Sequence, residues 1–225
     1  MIQDGGLLGK LMDIRRPDSL ASRLRKKRYE FFRNLVSSVE RPMKILDVGG
    51  LQWTWERIGF AGQPDIHVTL MNITKVPVDH WNMESVEGNA CCMPQFHDRQ
   101  FDIVFSNSVI EHVGGEREIQ SMADEIRRVG KSYYVQTPNR YFPMEPHFFF
   151  PMFQFLPISV RVTLVQHFPL GWTPKIPDRK LAEAEVRAIN LLSKSQMKAL
   201  FPDAVTVDER LLGVPKSIQA FRLSA

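Results

Sequence analysis

This chain predicts a doubly wound α/β fold: a seven-stranded, mostly parallel sheet with helices on both faces and an antiparallel hairpin at its C-terminal end. Three observations predict it. Short apolar runs alternate with segments of helical spacing, the order that builds parallel strands joined by crossover helices. The first run, Ile-Leu-Asp-Val-Gly-Gly at 45–50, is an apolar strand that ends in an acid and two glycines. A buried parallel strand delivering a ligand loop reads this way. The last two runs flank Gly213, Val214, Pro215 and Lys216, which are expected to join them as a hairpin.

The elements follow in order. Residues 1–17 read as loosely structured, and Asp18 or Ser19 is placed to cap a helix running to about 39. Leu20, Leu24, Phe31 and Leu35 share one face of that helix. Arg23, Arg25, Lys26, Lys27 and Arg28 fall mostly elsewhere, as a solvated basic face or as a patch for acidic lipid or a phosphorylated substrate. Strands are expected at 44–48, 67–71, 84–88, 101–106 and 132–136, with a short helix at 53–60. Ile119, Met122, Ile126 and Val129 give Glu116–Val129 helical periodicity. Thr137, Pro138 and Asn139 stop the fifth strand.

Residues 139–180 break the rhythm with prolines and aromatics, among them Tyr141, Phe142, Phe148, Phe149 and Trp172. They read as an inserted substrate cap. Ser193 with Gln196 forms a capping-box pattern that opens a helix to Leu200, and Pro202 ends it. Strands at Val205–Leu211 and 217–223 close the sheet. The whole chain, 1–225, reads as one domain, with 1–40 as a helical extension and 139–180 as the insert.

The bulk numbers exclude several classes. The 225 residues suffice for one full core with an added cap. The 29 basic and 25 acidic residues leave a charge of +4, too mild to require nucleic acid. The longest apolar run, 148–160, contains Pro151, Gln154 and Pro157 and falls short of the ~20 residues a spanning helix needs. Cys91 and Cys92 are adjacent, poor spacing for a disulfide or a metal. A reducing cytoplasm is the expected home. A monomer or homodimer is expected, and peripheral membrane contact is left open.

Four stretches resemble the class I S-adenosylmethionine-dependent methyltransferases, in their small-molecule subgroup. They are residues 45–50, 68–72 (Val-Thr-Leu-Met-Asn), 87–90 (Glu-Gly-Asn-Ala) with Met93 and Pro94, and 101–113, which ends Ser-Val-Ile-Glu-His-Val. The resemblance runs from about residue 43 to the C-terminus and implies a Rossmann-like fold with S-adenosyl-L-methionine as cofactor. It places Asp47, Gly49 and Gly50 at the methionine end, where a carboxylate can face the ammonium. Asn72 falls at the ribose hydroxyls, Asn89 and Ala90 at adenine, and Ser106 and Asn107 at the end of the fourth strand. Asn72 and Asn89 stand where the family commonly has acids. An amide oxygen still accepts a hydrogen bond, without charge assistance. Trp53 is expected to pack over the cofactor and the cysteines beside adenine.

His112 leads as general base, since an imidazole titrates near neutrality. Glu111, Tyr141, His147 and Phe148 are assigned to the substrate side. Glu111, His112 and His147 also resemble part of the metal site of the small-RNA 2′-O-methyltransferases and the ubiquinone-biosynthesis O-methyltransferases. Those families carry a first glutamate where this chain has Ser108, so no metal is assigned and the trio is kept as a fallback divalent site. The expected activity is methyl transfer to a hydroxyl of a small molecule: a natural product, lipid intermediate or saccharide. The alternatives are an RNA methyltransferase, drawn from the basic helix, and a non-catalytic binding protein, drawn from the paired amides.

Overall fold

The structure, a computed structural model, describes residues 20–224, with side chains from Arg25 onward. The expected caps Asp18 and Ser19, the loose segment 1–17 and the side chains of Leu20, Arg23 and Leu24 lie outside the described residues. Helix α1 (Leu20–Leu35) runs into a tight turn at Val36–Ser38. Strand β1 (Met43–Val48) leads to α2 (Gln52–Ile58), then β2 (Ile66–Asn72), β3 (Met83–Glu87) and β4 (Phe101–Asn107). Helix α3 (Glu116–Val129) and β5 (Gly130–Pro138) follow. The insert holds a small hairpin, β6 (Met144–Glu145) with β7 (Phe150–Pro151), then α4 (Ile158–His167) and α5 (Arg179–Arg187). Helix α6 (Lys194–Leu200), β8 (Val205–Leu211) and β9 (Val214–Arg222) finish the chain.

The seven-stranded sheet has the order β3-β2-β1-β4-β5-β9-β8. β1 pairs parallel with both β2 and β4, and β9 runs antiparallel to β5 and β8. The strand order reverses between β1 and β4, and there the loops from neighbouring strands part and leave room for a ligand. β1 is buried on both faces, so one apolar core lies beneath α3 and α6 and a second beneath α1 and α2.

Three sequence expectations need correction. The hairpin turn is Leu212 and Gly213, both at positive φ, and Pro215 and Lys216 already belong to β9. Pro215 is tolerated because it faces the register shift at Glu209 and Arg210, where a ladder hydrogen bond is dispensable. The buried face of α1 is Arg28, Tyr29 and Phe32, continued by Val36 in the turn that follows, so Arg28 leaves the basic surface. The insert packs a core of its own, in which Phe148, Phe153, Val162, Val165, Ala182 and Val186 are buried together. That core includes α5, past the expected end at 180.

Candidate functional site

Two buried carboxyls mark the C-terminal edge of the sheet. The first is Asp47, which accepts a hydrogen bond from Trp55 Nε1 at 2.7 Å. Burial pushes its carboxyl up to about 7, against the pull of that bond. Gly49, at φ 78, turns the chain and donates its N–H to Met71 O. A Cβ at Gly50 would lie 1.6 Å from Asp47 Oδ2, so only glycine lets the loop close over the carboxyl. Asp47 therefore sits beneath the loop rather than facing out toward an ammonium. The Arg25 and Arg57 guanidiniums both lie over the Trp53 ring; Trp55 is the tryptophan that serves the loop.

Asn72 ends β2 and donates to Gly50 O at 2.9 Å, leaving its Oδ1 without a partner among the described residues. Asn89 Oδ1 accepts from Cys91 N, which leaves Nδ2 to donate. Ala90 is buried, and Ser106 Oγ is buried without a partner. Asn107 Oδ1 is taken by Arg28 Nη1 at 2.7 Å. Cys91 Sγ lies against Glu118 O and Cys92 is exposed. The residues around this crevice fit an adenosyl group at two points, an open amide acceptor at Asn72 and an open amide donor at Asn89.

The second carboxyl is Glu111. β4 delivers it through Ser108, at φ 59, and a single turn at Ile110–His112. Its Oε2 accepts from Thr137 Oγ1 at 3.0 Å, while Oε1 is buried with no partner among the described residues. Burial pushes this group up to about 7 as well. β5 and the insert supply the remaining groups. Glu145, buried in the small hairpin, accepts the His147 and Phe148 backbone N–H groups on Oε2 and His147 Nδ1 on Oε1 at 2.7 Å. His147 Nε2 lies 3.1 Å from His112 Nε2, with the rings perpendicular.

The two histidines differ electrostatically. Burial, then the charge of His147, lowers His112 to about 4. Burial also works to lower His147, but the hydrogen bond and charge of Glu145 outweigh it and hold that ring above its ordinary value. His147 is thus the stronger base of the pair, and the expectation for His112 is revised on that ground. The ligand atoms of Glu111, His112 and His147 all lie within 4.8 Å of one another. One carboxylate and two imidazoles form a donor set suited to a divalent cation.

The other substrate-side expectations fare differently. Phe148 is buried in the core of the insert, and Tyr141 is 64% exposed, stacked on Phe155. Phe142 and Phe149 instead line a cavity of about 130 Å³ beside Ser108 and Gln136. Arg28, missed from the sequence, holds this edge together. It donates to Glu209 at 2.6 and 2.9 Å, to Asn107 and to Gln136 Oε1 at 2.9 Å. Its spacing four before Phe32 and eight before Val36 was the available signal, because those positions lie on one helical face.

Comparison with known proteins gives a consistent picture. A family described as "Methyltransferase domain" matches residues 60–133. Two curated relatives, the uncharacterized proteins MT1557 and Rv1509 of Mycobacterium tuberculosis, are 37% identical over 65 residues, 29% of this chain. The matched stretch spans only 22% of those relatives' length. Among solved structures, an S-adenosylmethionine-dependent methyltransferase from Aquifex aeolicus superposes with a TM-score of 0.52 at 12% identity, covering 94% of this chain and 95% of that one. The CurJ carbon methyltransferase gives 0.59 at 12% identity, covering 96% and 58%. Phosphoethanolamine N-methyltransferase 2 of Haemonchus contortus, in complex with S-adenosylmethionine, gives 0.51 at 12% identity, covering 81% and 38%. No helix among the described residues is long and apolar enough to cross a membrane.

Proposed function

We propose that this chain, a class I S-adenosylmethionine-dependent methyltransferase by its fold and its matched domain, methylates a hydroxyl group of a small molecule. The observation that carries this reading is the relay Glu145–His147–His112 at the C-terminal ends of β4 and β5. Neighbouring folds include a carbon and a nitrogen methyltransferase, so the oxygen acceptor rests on the relay alone.

When bound, S-adenosylmethionine supplies an electrophilic methyl group on a sulfonium. The chain's own residues position and deprotonate. Asn72 Oδ1 would accept from ribose hydroxyls and Asn89 Nδ2 would donate to the adenine ring. The Gly49 loop would back the amino-acid end, held from below by Asp47 and Trp55. The proton of an acceptor hydroxyl passes to His147 Nε2, and Glu145 stabilises the resulting imidazolium through Nδ1. The insert covers the site and excludes water. Glu145→Gln is expected to lower kcat about 10²-fold and shift the acidic limb of the pH–rate profile to lower pH, with S-adenosylhomocysteine affinity unchanged in calorimetry. Unchanged turnover in that variant removes the relay from the mechanism.

A second reading is favoured by the convergence of Glu111, His112 and His147 and by the unpartnered Glu111 oxygen: the trio holds a divalent cation that orients the acceptor oxygen. Mg²⁺, Mn²⁺ or Zn²⁺ is then expected to raise Tm and turnover, and EDTA to reverse both. Metal-independent turnover and melting dispose of it.

A further inference from the structure

The cavity beside the relay is cationic. Arg25, Arg28 and Lys216 line it together with Ser108, Phe142 and Phe149. Its charges do not balance. Among the described residues Glu209 is the carboxylate hydrogen-bonded to these cations, and it accepts two hydrogen bonds from Arg28. Arg28 is further occupied by Asn107, Gln136 and Ser217. Lys216 makes no ion pair among the described residues. Arg25 lies over the Trp53 ring, and its buried Nη1 has no hydrogen-bond partner. Burial, and after it the nearby Arg28, lowers Lys216 to about 8 against the pull of Glu209. Three cations therefore share the charge of Glu209 around about 130 Å³ of space, and Arg28 takes both of its hydrogen bonds to these cations.

The cavity also has a shape and a direction. Phe142, Phe149, Met144, Pro138 and Pro146 give it apolar walls. An apolar cavity of about 150 Å³ takes a single benzene ring, so this one suits one small ring or head group. Pro146 precedes His147, and Ser108 opens the turn that carries Glu111 and His112. A molecule seated here is next to the relay, with its charged end toward β9 and α1.

We infer that this cavity selects an acceptor bearing a carboxylate or phosphate group, which Lys216 and Arg25 bind while Phe142 and Phe149 hold its apolar body. The inference rests on the methyltransferase reading for its purpose, but the binding itself does not depend on turnover. An anionic group satisfies both unpaired donors at once, and charge-assisted hydrogen bonds in a partly dry cavity are strong. A neutral phenol of the same size leaves both cations as they are.

Calorimetry with benzoate, phenyl phosphate and phenol tests this on the full chain. At least one anion is expected to bind, and the tighter of the two identifies the head group. Phenol is expected to bind at least tenfold more weakly. Lys216→Met and Arg25→Gln should each weaken anion binding about tenfold, Lys216→Arg should restore it, and added salt should weaken it in the wild type. S-adenosylhomocysteine affinity, measured in parallel, should stay within about twofold in all three variants. Equal binding of phenol and the anions, no anion binding, or anion binding unmoved in both variants overturns the inference. If Lys216→Met does not fold, Arg25→Gln and the phenol comparison still decide. Anion binding without nucleoside binding sinks the methyltransferase reading and leaves the pocket standing; the reverse result sinks the pocket alone.

Discussion

Asp47 and Glu111 are the same kind of group in the same kind of place. Each is a carboxyl at or just beyond the C-terminal end of a central strand, each is fully buried, and burial pushes each up to about 7. They differ in what faces them. Asp47 is met by a neutral indole N–H and by the backbone of Gly50, which admits no side chain. Glu111 keeps one oxygen without a partner and has two imidazoles in reach. Burial and a raised pKa therefore do not separate a brace from a reactive centre. The neighbours do: a Glu111 oxygen has two imidazoles within 4.8 Å, and Asp47 joins no such cluster among the described residues.

The largest effect that tests this contrast is catalytic. His147→Ala is expected to lower kcat by 10²–10⁴-fold at unchanged S-adenosylhomocysteine affinity, measured by steady-state kinetics and calorimetry. A loss of nucleoside affinity instead would move His147 to the binding side of the comparison.

The next is pH. Asp47 titrates near 3.8 when unfolded and at about 7 when folded, so between those values the native state binds the extra proton. Stability therefore falls as pH rises through that window, by at most about 4 kcal/mol from this group. Asp47→Asn should flatten its share of the slope in urea unfolding at pH 4, 5, 6 and 7. A slope identical to wild type would mean that Asp47 is already charged in the fold.

A smaller effect separates the two by substitution. Asp47→Ala strands a buried indole donor and should cost about 1–3 kcal/mol. Glu111→Gln removes a carboxyl that burial already disfavours and keeps an acceptor for Thr137. Its stability should stay within about 1 kcal/mol of wild type, while on the divalent-cation reading turnover falls. Equal destabilisation in both variants erases the distinction. The smallest effect is a shift in Tm with Mn²⁺: it should vanish in Glu111→Gln and persist in Asp47→Asn.

What was legible in the chain followed its periodicity. Helix Glu116–Val129, the Ser193 cap of α6 and strand Val205–Leu211 were read with their observed bounds, since local pattern and local chemistry decide them. The grouping of Glu111, His112 and His147 was legible from the family resemblance, and the three lie within 4.8 Å of one another. Arg28 was misplaced because its main partner, Glu209, lies 181 residues away, and no local pattern carries that distance. Trp55 escaped notice similarly: two residues from Trp53 on a helix it points to a different side, and only the sheet decides which is inward. The insert resisted because its core is built from its own short helices, whose packing no strand register dictates.

The Arg28–Glu209 contact also orders events during synthesis. Helix α1 leaves the ribosome early, with a guanidinium meant for burial. Its carboxylate partner emerges 181 residues later, roughly 10–40 s at ordinary elongation rates of about 5–20 residues per second. Through that interval the helix must either wait undocked or dock with its charge half-wet, so final locking of α1 awaits the β8–β9 hairpin.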